Sequence, residues 1–225
     1  MKYFLFLPVM LLTLICSAQD CGGYYYMQNG KTIEMTIYGK NDKVTGVQTY
    51  TVSNVTKDGA SVSATINSEM VNDKGKQLAK SVIRANCSGN SLNMDMTMFV
   101  PAAQQQQLKN IDASGNAVYI QYPAAMNAGD QLPDGNFSMD IQNDGGMKMN
   151  LSIQVTNRIV QAKESVTTAA GTWECYKVTS NQRITTKISG IGIPINMEVT
   201  EWFAPGFGIV KTESKYGRTE ITAIK

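Results

Sequence analysis

The chain of 225 residues contains no histidine. That removes Ser-His-Asp and Cys-His catalysis and every histidine-based zinc or iron site. Carboxylates, thiols and thioethers remain as the side chains that could do chemistry. Glu198, Glu201, Glu213 and Glu220 form the densest acidic set. If Glu201 and Glu213 met across a hairpin, they could titrate as a coupled acid–base pair. Solvated strand faces also carry such charges, and Lys211 and Lys215 stand beside them, so ordinary surface pairing is the plainer account. The expectation is a protein that is not an enzyme and carries no cofactor.

Methionine is the stronger signal. All but Met1 and Met10 of the thirteen methionines fall in the body of the chain. Met94, Met96, Met98, Met147 and Met149 recur at period two, with Leu151 continuing the last run, so each set shares one strand face. Met is flexible and polarizable and suits surfaces that accept varied apolar partners. These six residues and Trp202 are the candidate lining of a pocket for a lipid, an acyl chain or a lipidated peptide. The competing reading is ordinary core, since buried strands need apolar residues regardless. Copper(I) held by thioethers would require three sulfurs placed together by facing strands. No metal site is expected.

Of the four cysteines, Cys16 lies in an N-terminal apolar run, leaving Cys21, Cys87 and Cys175. In an oxidising compartment two of these could pair in three ways. Cys87 lies in a turn-like N-C-S-G-N and Cys175 in a strand pattern, where a small buried thiol is common. The pairing read here is Cys21 with Cys87, against the alternative of three reduced, inert thiols.

The elements that must position these residues read as strands. Ile33, Met35 and Ile37 alternate with polar neighbours, and so do Val62, Ala64 and Ile66. Polar turns separate such runs every ten to fifteen residues, the pattern of an antiparallel meander. Asp144-Gly145-Gly146 suits a primed hairpin turn, and 155–167 continues extended through a bend near Asn157. Ser189 to Pro194 reads as a loop. Pro205-Gly206 reads as a type II turn between two extended runs. Around it, alternation sets Trp202 and Phe203 on opposite faces, with Phe207 nearby. Only Pro101 to about Ile111, with its four glutamines, reads as a helix. About ten to twelve strands and one helix make a mainly β chain. A sheet of that length must curl or close, so the expected architecture is one strongly curved antiparallel sheet, a half-barrel, with one covering helix.

The N-terminus carries an address. Lys2 precedes an apolar run from Phe4 to Cys16 and then Cys16-Ser17-Ala18, a secretory leader with cleavage expected after Ala18. A lipoprotein leader would want a small residue before its cysteine, but Ile15 precedes Cys16 and Asp20 precedes Cys21. Residues 19–225 then form a single β-rich domain. No later segment approaches the ~20 apolar residues of a transmembrane helix. With 20 basic against 18 acidic residues, the overall charge balance shows no nucleic-acid or membrane-surface footprint. The expected location is exported, in the periplasm or at the cell surface.

Four stretches carry a family resemblance. They are Gln19-Asp20-Cys21 with Tyr25 and Gly30; G-T-W-E-C-Y-K-V at 171–178; E-W-F-A-P-G-F-G-I-V-K-T-E-S at 201–214; and T-E-I-T-A-I-K at 219–225. Together they resemble exported Bacteroidetes proteins of the domain-of-unknown-function 3108 family, over nearly the whole mature chain. The resemblance implies an uncharacterised envelope protein without an assigned reaction. It also implies a relative of the LolA/LolB lipoprotein-carrier architecture, a curved antiparallel sheet around an apolar cavity. Fold-level analogy does not make it a carrier. The expected function is therefore non-catalytic binding of an apolar or lipid-like ligand. The alternative is a structural or protein-interaction module of the cell envelope with a filled core.

Overall fold

A computed structural model describes residues 21–100, 117–142 and 148–225. The expected leader, the expected helix from Pro101 to Ile111, the Asp144-Gly145-Gly146 turn and Met147 lie outside these residues.

Among the described residues thirteen strands follow in order: β1 (Thr32–Gly39), β2 (Val44–Asp58), β3 (Ser61–Asn72), β4 (Gln77–Ser88), β5 (Ser91–Asp95), β6 (Tyr119–Pro123), β7 (Gln131–Leu132), β8 (Gly135–Gln142), β9 (Lys148–Thr168), β10 (Gly171–Ile188), β11 (Ile191–Ala204), β12 (Gly208–Ser214) and β13 (Gly217–Ile224). Among the described residues the helical pieces are short 3-10 turns at Cys21–Gly23, Tyr25–Met27 and Met96–Phe99. The strands form one antiparallel sheet in the order β6-β5-β4-β3-β2-β1-β13-β12-β11-β10-β9-β7, with β8 also on β9. Strand alternation supplies its two faces. In β3, for example, Val62, Ala64, Ile66, Ser68 and Met70 are all buried, while Ser63, Asn67 and Glu69 are exposed.

The sheet closes further than a half-barrel, and one of its bulges sets the contact between its two ends. Asn157 and Arg158 of β9 together oppose Ser180 of β10, and Asn157 takes a left-handed φ of 52°. The inward phase of β9 therefore switches from Leu151, Ile153 and Val155 to Arg158 and Val160. Arg158 now points inside, where its Nη1 donates to Gln121 O of β6 at 3.0 Å and to Pro133 O at 2.9 Å. The two ends of the sheet are thus clasped by one guanidinium. The result is a nearly closed, barrel-shaped sheet.

The N-terminal segment is packed against this barrel. Tyr24, Tyr26 and Met27 are buried, and the Cys21–Cys87 disulfide ties the segment to β4 with a Cα–Cα distance of 5.4 Å. Phe207 gathers Tyr25, Tyr26 and Trp173 around it, with ring centroids 5.1, 6.3 and 5.6 Å away. The Pro205-Gly206 turn that presents Phe207 has Gly206 at φ 78° and a Phe207 N–H to Ala204 O bond, as a type II turn requires.

Two local readings are corrected. Met94 to Met98 do not form one strand face: β5 ends at Asp95, whose carboxylate accepts from the Thr97 N–H and caps a 3-10 turn over Met96–Phe99. Ser189 to Pro194 is not a loop. Ser189 and Gly190 alone make the turn, with φ of 50° and 85°, and β11 starts at Ile191. Two positive φ values in succession fit a type I′ hairpin. The glycines at 190 and 192 look like breakers, but Ile191 between them pairs with Ile188 across the hairpin.

Candidate functional site: an apolar cavity in the barrel

The inner face of the barrel holds a cavity of about 540 Å³ at one end. Its walls come from β1, β2 and β10–β13, together with the 3-10 turn after β5. Met35, Tyr50, Ile184, Val199, Ile209 and Met98 supply much of the apolar lining. Ligand sites of small apolar molecules occupy this volume range. A second, larger groove of about 980 Å³ runs along β9–β12 and is lined mostly by amides, hydroxyls and charges, among them Gln154, Asn181, Arg183 and Glu198. Water solvates such a surface well, so the apolar cavity is the stronger candidate.

One end of the cavity lining is polar. Glu201 and Gln182 both line the cavity and are both buried. The Tyr122 hydroxyl donates to Glu201 Oε2 at 2.9 Å. The Arg158 guanidinium stacks 4.8 Å from the Tyr122 ring centroid, and Phe203 stacks on the same ring at 5.0 Å. Burial pushes the Glu201 carboxyl above its ordinary range, while Arg158 and the Tyr122 bond pull it back down. Burial likewise raises the Tyr26 and Tyr50 phenols, so both stay protonated and neutral. Gln48, also in the lining, donates to Ser68 Oγ at 2.8 Å.

The residues singled out from the sequence divide. Met98 lines the cavity. Met94 and Met96 are buried beside it in packed core: Met94 pairs with Ala85 and Ile120, and Met96 fills the space against Gly135. Met149 and Leu151 are buried on β9 and do not line the cavity. Trp202 is buried but lies on the opposite strand face from Glu201 and Phe203. Its Nε1 donates to Glu164 at 2.6 Å, and the Lys211 and Lys177 ammonium groups stand 4.6 and 5.5 Å from its ring.

The carboxylate pair does not form. Glu201 stands opposite Thr212 and Glu213 opposite Thr200, so the two side chains leave the hairpin on opposite faces. Glu213 instead meets Lys211 at 3.4 Å. Cys175 is free and buried, its thiol pushed up to about 12 by burial and by Glu174 and Glu164, which leaves it a poor nucleophile. Among the described residues no three acidic or thiol groups converge as metal ligands.

Sequence reasoning passed over Met35, Met197 and Tyr50, which line the cavity. The period-two pattern of β1 and β2 carries that signal for Met35 and Tyr50. Arg158 was also missed, because alternation alone counts it outward until the bulge is known.

Two solved structures share the fold. One is a candidate exported protein with a YmcC-like fold from Bacteroides fragilis, at TM-score 0.70 and 24% identity, covering 88% of this chain and 96% of its own. The other is a candidate lipoprotein from Parabacteroides distasonis, at TM-score 0.72 and 22% identity, covering 92% of this chain and 100% of its own. No curated protein matches. The family profile that does match covers residues 28–222, and the chain belongs to the DUF3108-like family.

Proposed function

We propose that this is an exported, non-catalytic envelope protein that holds an apolar or lipid-like ligand inside its barrel. The cavity carries the reading: about 540 Å³, walled by methionine, isoleucine and tyrosine, with a polar patch at Glu201 and Gln182. Apolar walls of this extent, reached by a few placed polar groups, suit an acyl chain with a hydrogen-bonding end. Three methionines in the lining, Met35, Met98 and Met197, can repack around chains of different shape. Export is supported by the leader pattern, by the Cys21–Cys87 disulfide and by the exported or lipoprotein descriptions of the two structural neighbours. The LolA/LolB likeness belongs to this proposal as an analogy of cavity and curvature alone.

A second reading, an envelope interaction module with a filled core, draws on the tight burial of Met94, Met96 and Leu151. Native mass spectrometry of the purified protein, with extraction of bound lipid, separates the two. A co-purified apolar molecule, or saturable binding of a fluorescent fatty acid displaced by the unlabelled acid, is the expected result. No adduct and no saturable binding would leave the filled-core module.

A further inference from the structure

We propose that the cavity end of the barrel docks on an anionic lipid surface through the tip of the β10–β11 hairpin. The tip is greasy on one side only. Register pairs Ile184 with Ile195, Thr186 with Ile193 and Ile188 with Ile191, so these six side chains share one face. At the outer end they are bare: Ile191 is 74% exposed, Ile193 70% and Ile188 41%. Monomeric surfaces seldom leave three neighbouring isoleucines in water without a use. The same face continues inward, where Ile184 and Ile195 line the cavity. The exposed stripe and the cavity wall are therefore one surface, running from the tip into the barrel.

Charge says what the stripe meets. Residues 184–197 contain one ionisable side chain, Lys187, on the opposite face of the tip. The neighbouring turns at this end are basic. Pairing of Gly39 with Gly217, Gly46 with Asn72 and Val199 with Ser214 sets the β1–β2, β3–β4 and β12–β13 turns at the hairpin's end of the barrel. They present exposed Lys40, Lys43, Lys74, Lys76 and Lys215. Asp42 and Asp73 offset part of this charge, and Asp42 is already paired with Arg218. Tyr216 is 48% exposed at the cavity rim, with the Lys40 and Lys215 ammonium groups 5.7 and 5.2 Å from its ring. Ile191 stands eight residues beyond Val199, about 27 Å along the strand, so the ribbon lies along the bilayer for its apolar stripe, the interfacial tyrosine and the lysine turns at its base to meet anionic headgroups together. Docked so, the cavity mouth opens onto the lipid; the consequence that ligand enters along the stripe rests on the binding function proposed above.

The test is co-sedimentation of the full protein with vesicles of phosphatidylcholine alone and with added phosphatidylglycerol. Binding to the anionic vesicles is expected, with little to the neutral ones. Ile191→Ser with Ile193→Ser should lower it at least about tenfold, because two isoleucines no longer leave water. Lys187→Gln should lower it roughly fivefold on anionic vesicles. All three positions are exposed, so unchanged thermal midpoints should accompany the loss. The isoleucine variant should still bind a soluble fluorescent fatty acid in solution. Loss of vesicle binding with retained acid binding supports the docking tip. Vesicle binding by a protein that takes no fatty acid would keep the tip and remove the cavity function. Absent vesicle binding, equal binding by the isoleucine variant, or burial of the tip in a stable dimer would overturn the proposal.

Discussion

The Tyr122 hydroxyl donates to Glu201 Oε2 at 2.9 Å and so joins β6 to β11 across the inside of the barrel. Both residues are almost fully buried. Removing the donor leaves a buried carboxylate oxygen without a partner, which costs on the order of 1–3 kcal/mol. Tyr122→Phe should therefore lower the unfolding free energy by about that amount in denaturant titration. It should also raise the Glu201 carboxyl further, since the lost bond pulled it down.

Glu201 itself gives the pH dependence. Burial raises its carboxyl above the ordinary value of 4.5. A group raised in the folded state contributes stability that is complete below its unfolded pKa and is lost as pH rises through the folded one. The wild-type protein should gain stability relative to Glu201→Gln as pH falls from neutral towards 4.5. Thermal midpoints of the two proteins across that window measure it. A difference that stays flat would take the titration away from Glu201.

Arg158 holds the seam. Losing it removes two bonds to carbonyls and leaves Glu201 buried without its nearby cation, so Arg158→Met should cost roughly 3–5 kcal/mol. The double variant with Glu201→Gln should recover much of that, because no lone charge is then buried. Hydrogen exchange should quicken at 119–123 and 131–135 in the single variant. If the two substitutions add without coupling, the Arg158 and Glu201 charges do not support each other.

The disulfide encloses a long loop, with a sequence separation of 66. In the chain-entropy account such a closure contributes roughly 4 kcal/mol. Cys21→Ser should lower unfolding stability towards that figure, and reductant should have no further effect on the variant. Cys175 should resist alkylation in the native state and react only on unfolding.

The cavity can be filled from its wall. Val199→Phe projects a ring into the lining and should weaken fluorescent fatty-acid binding about tenfold, with a modest change in thermal midpoint. Unchanged affinity would place the bound acid elsewhere.

Much of the fold was legible because most strands have one dry face. Ile33 and Met35 of β1, and Val62, Ala64 and Ile66 of β3, announce themselves at period two. The Cys21–Cys87 pairing and the Pro205-Gly206 turn were also readable, the latter from residue types that preset φ. Closure was not. The clasp between the sheet's ends depends on Asn157 taking a left-handed conformation, which turns Arg158 inward, and a reading that counts every second residue carries the wrong phase past such a bulge. The cavity was half legible for a related reason. Methionines mark apolar faces, but Met94 and Met98 fall in different settings because Asp95 caps a turn between them. Nothing local separates a methionine that fills core from one that borders open space.

Pro194 in the long hairpin has a consequence for behaviour at high concentration. A two-residue turn makes Ile188 and Ile191 a mutually bonded pair, as are Thr186 and Ile193, so Pro194 opposite Thr185 turns its nitrogen to the outer edge of β11. That edge has no β12 neighbour before Val199. A bare ribbon rich in isoleucine is a template for stacking molecule upon molecule, and the missing N–H at position 194 interrupts the row of donors such a stack would need. The same proline that looks like a loop former therefore takes one donor out of the open edge of this arm.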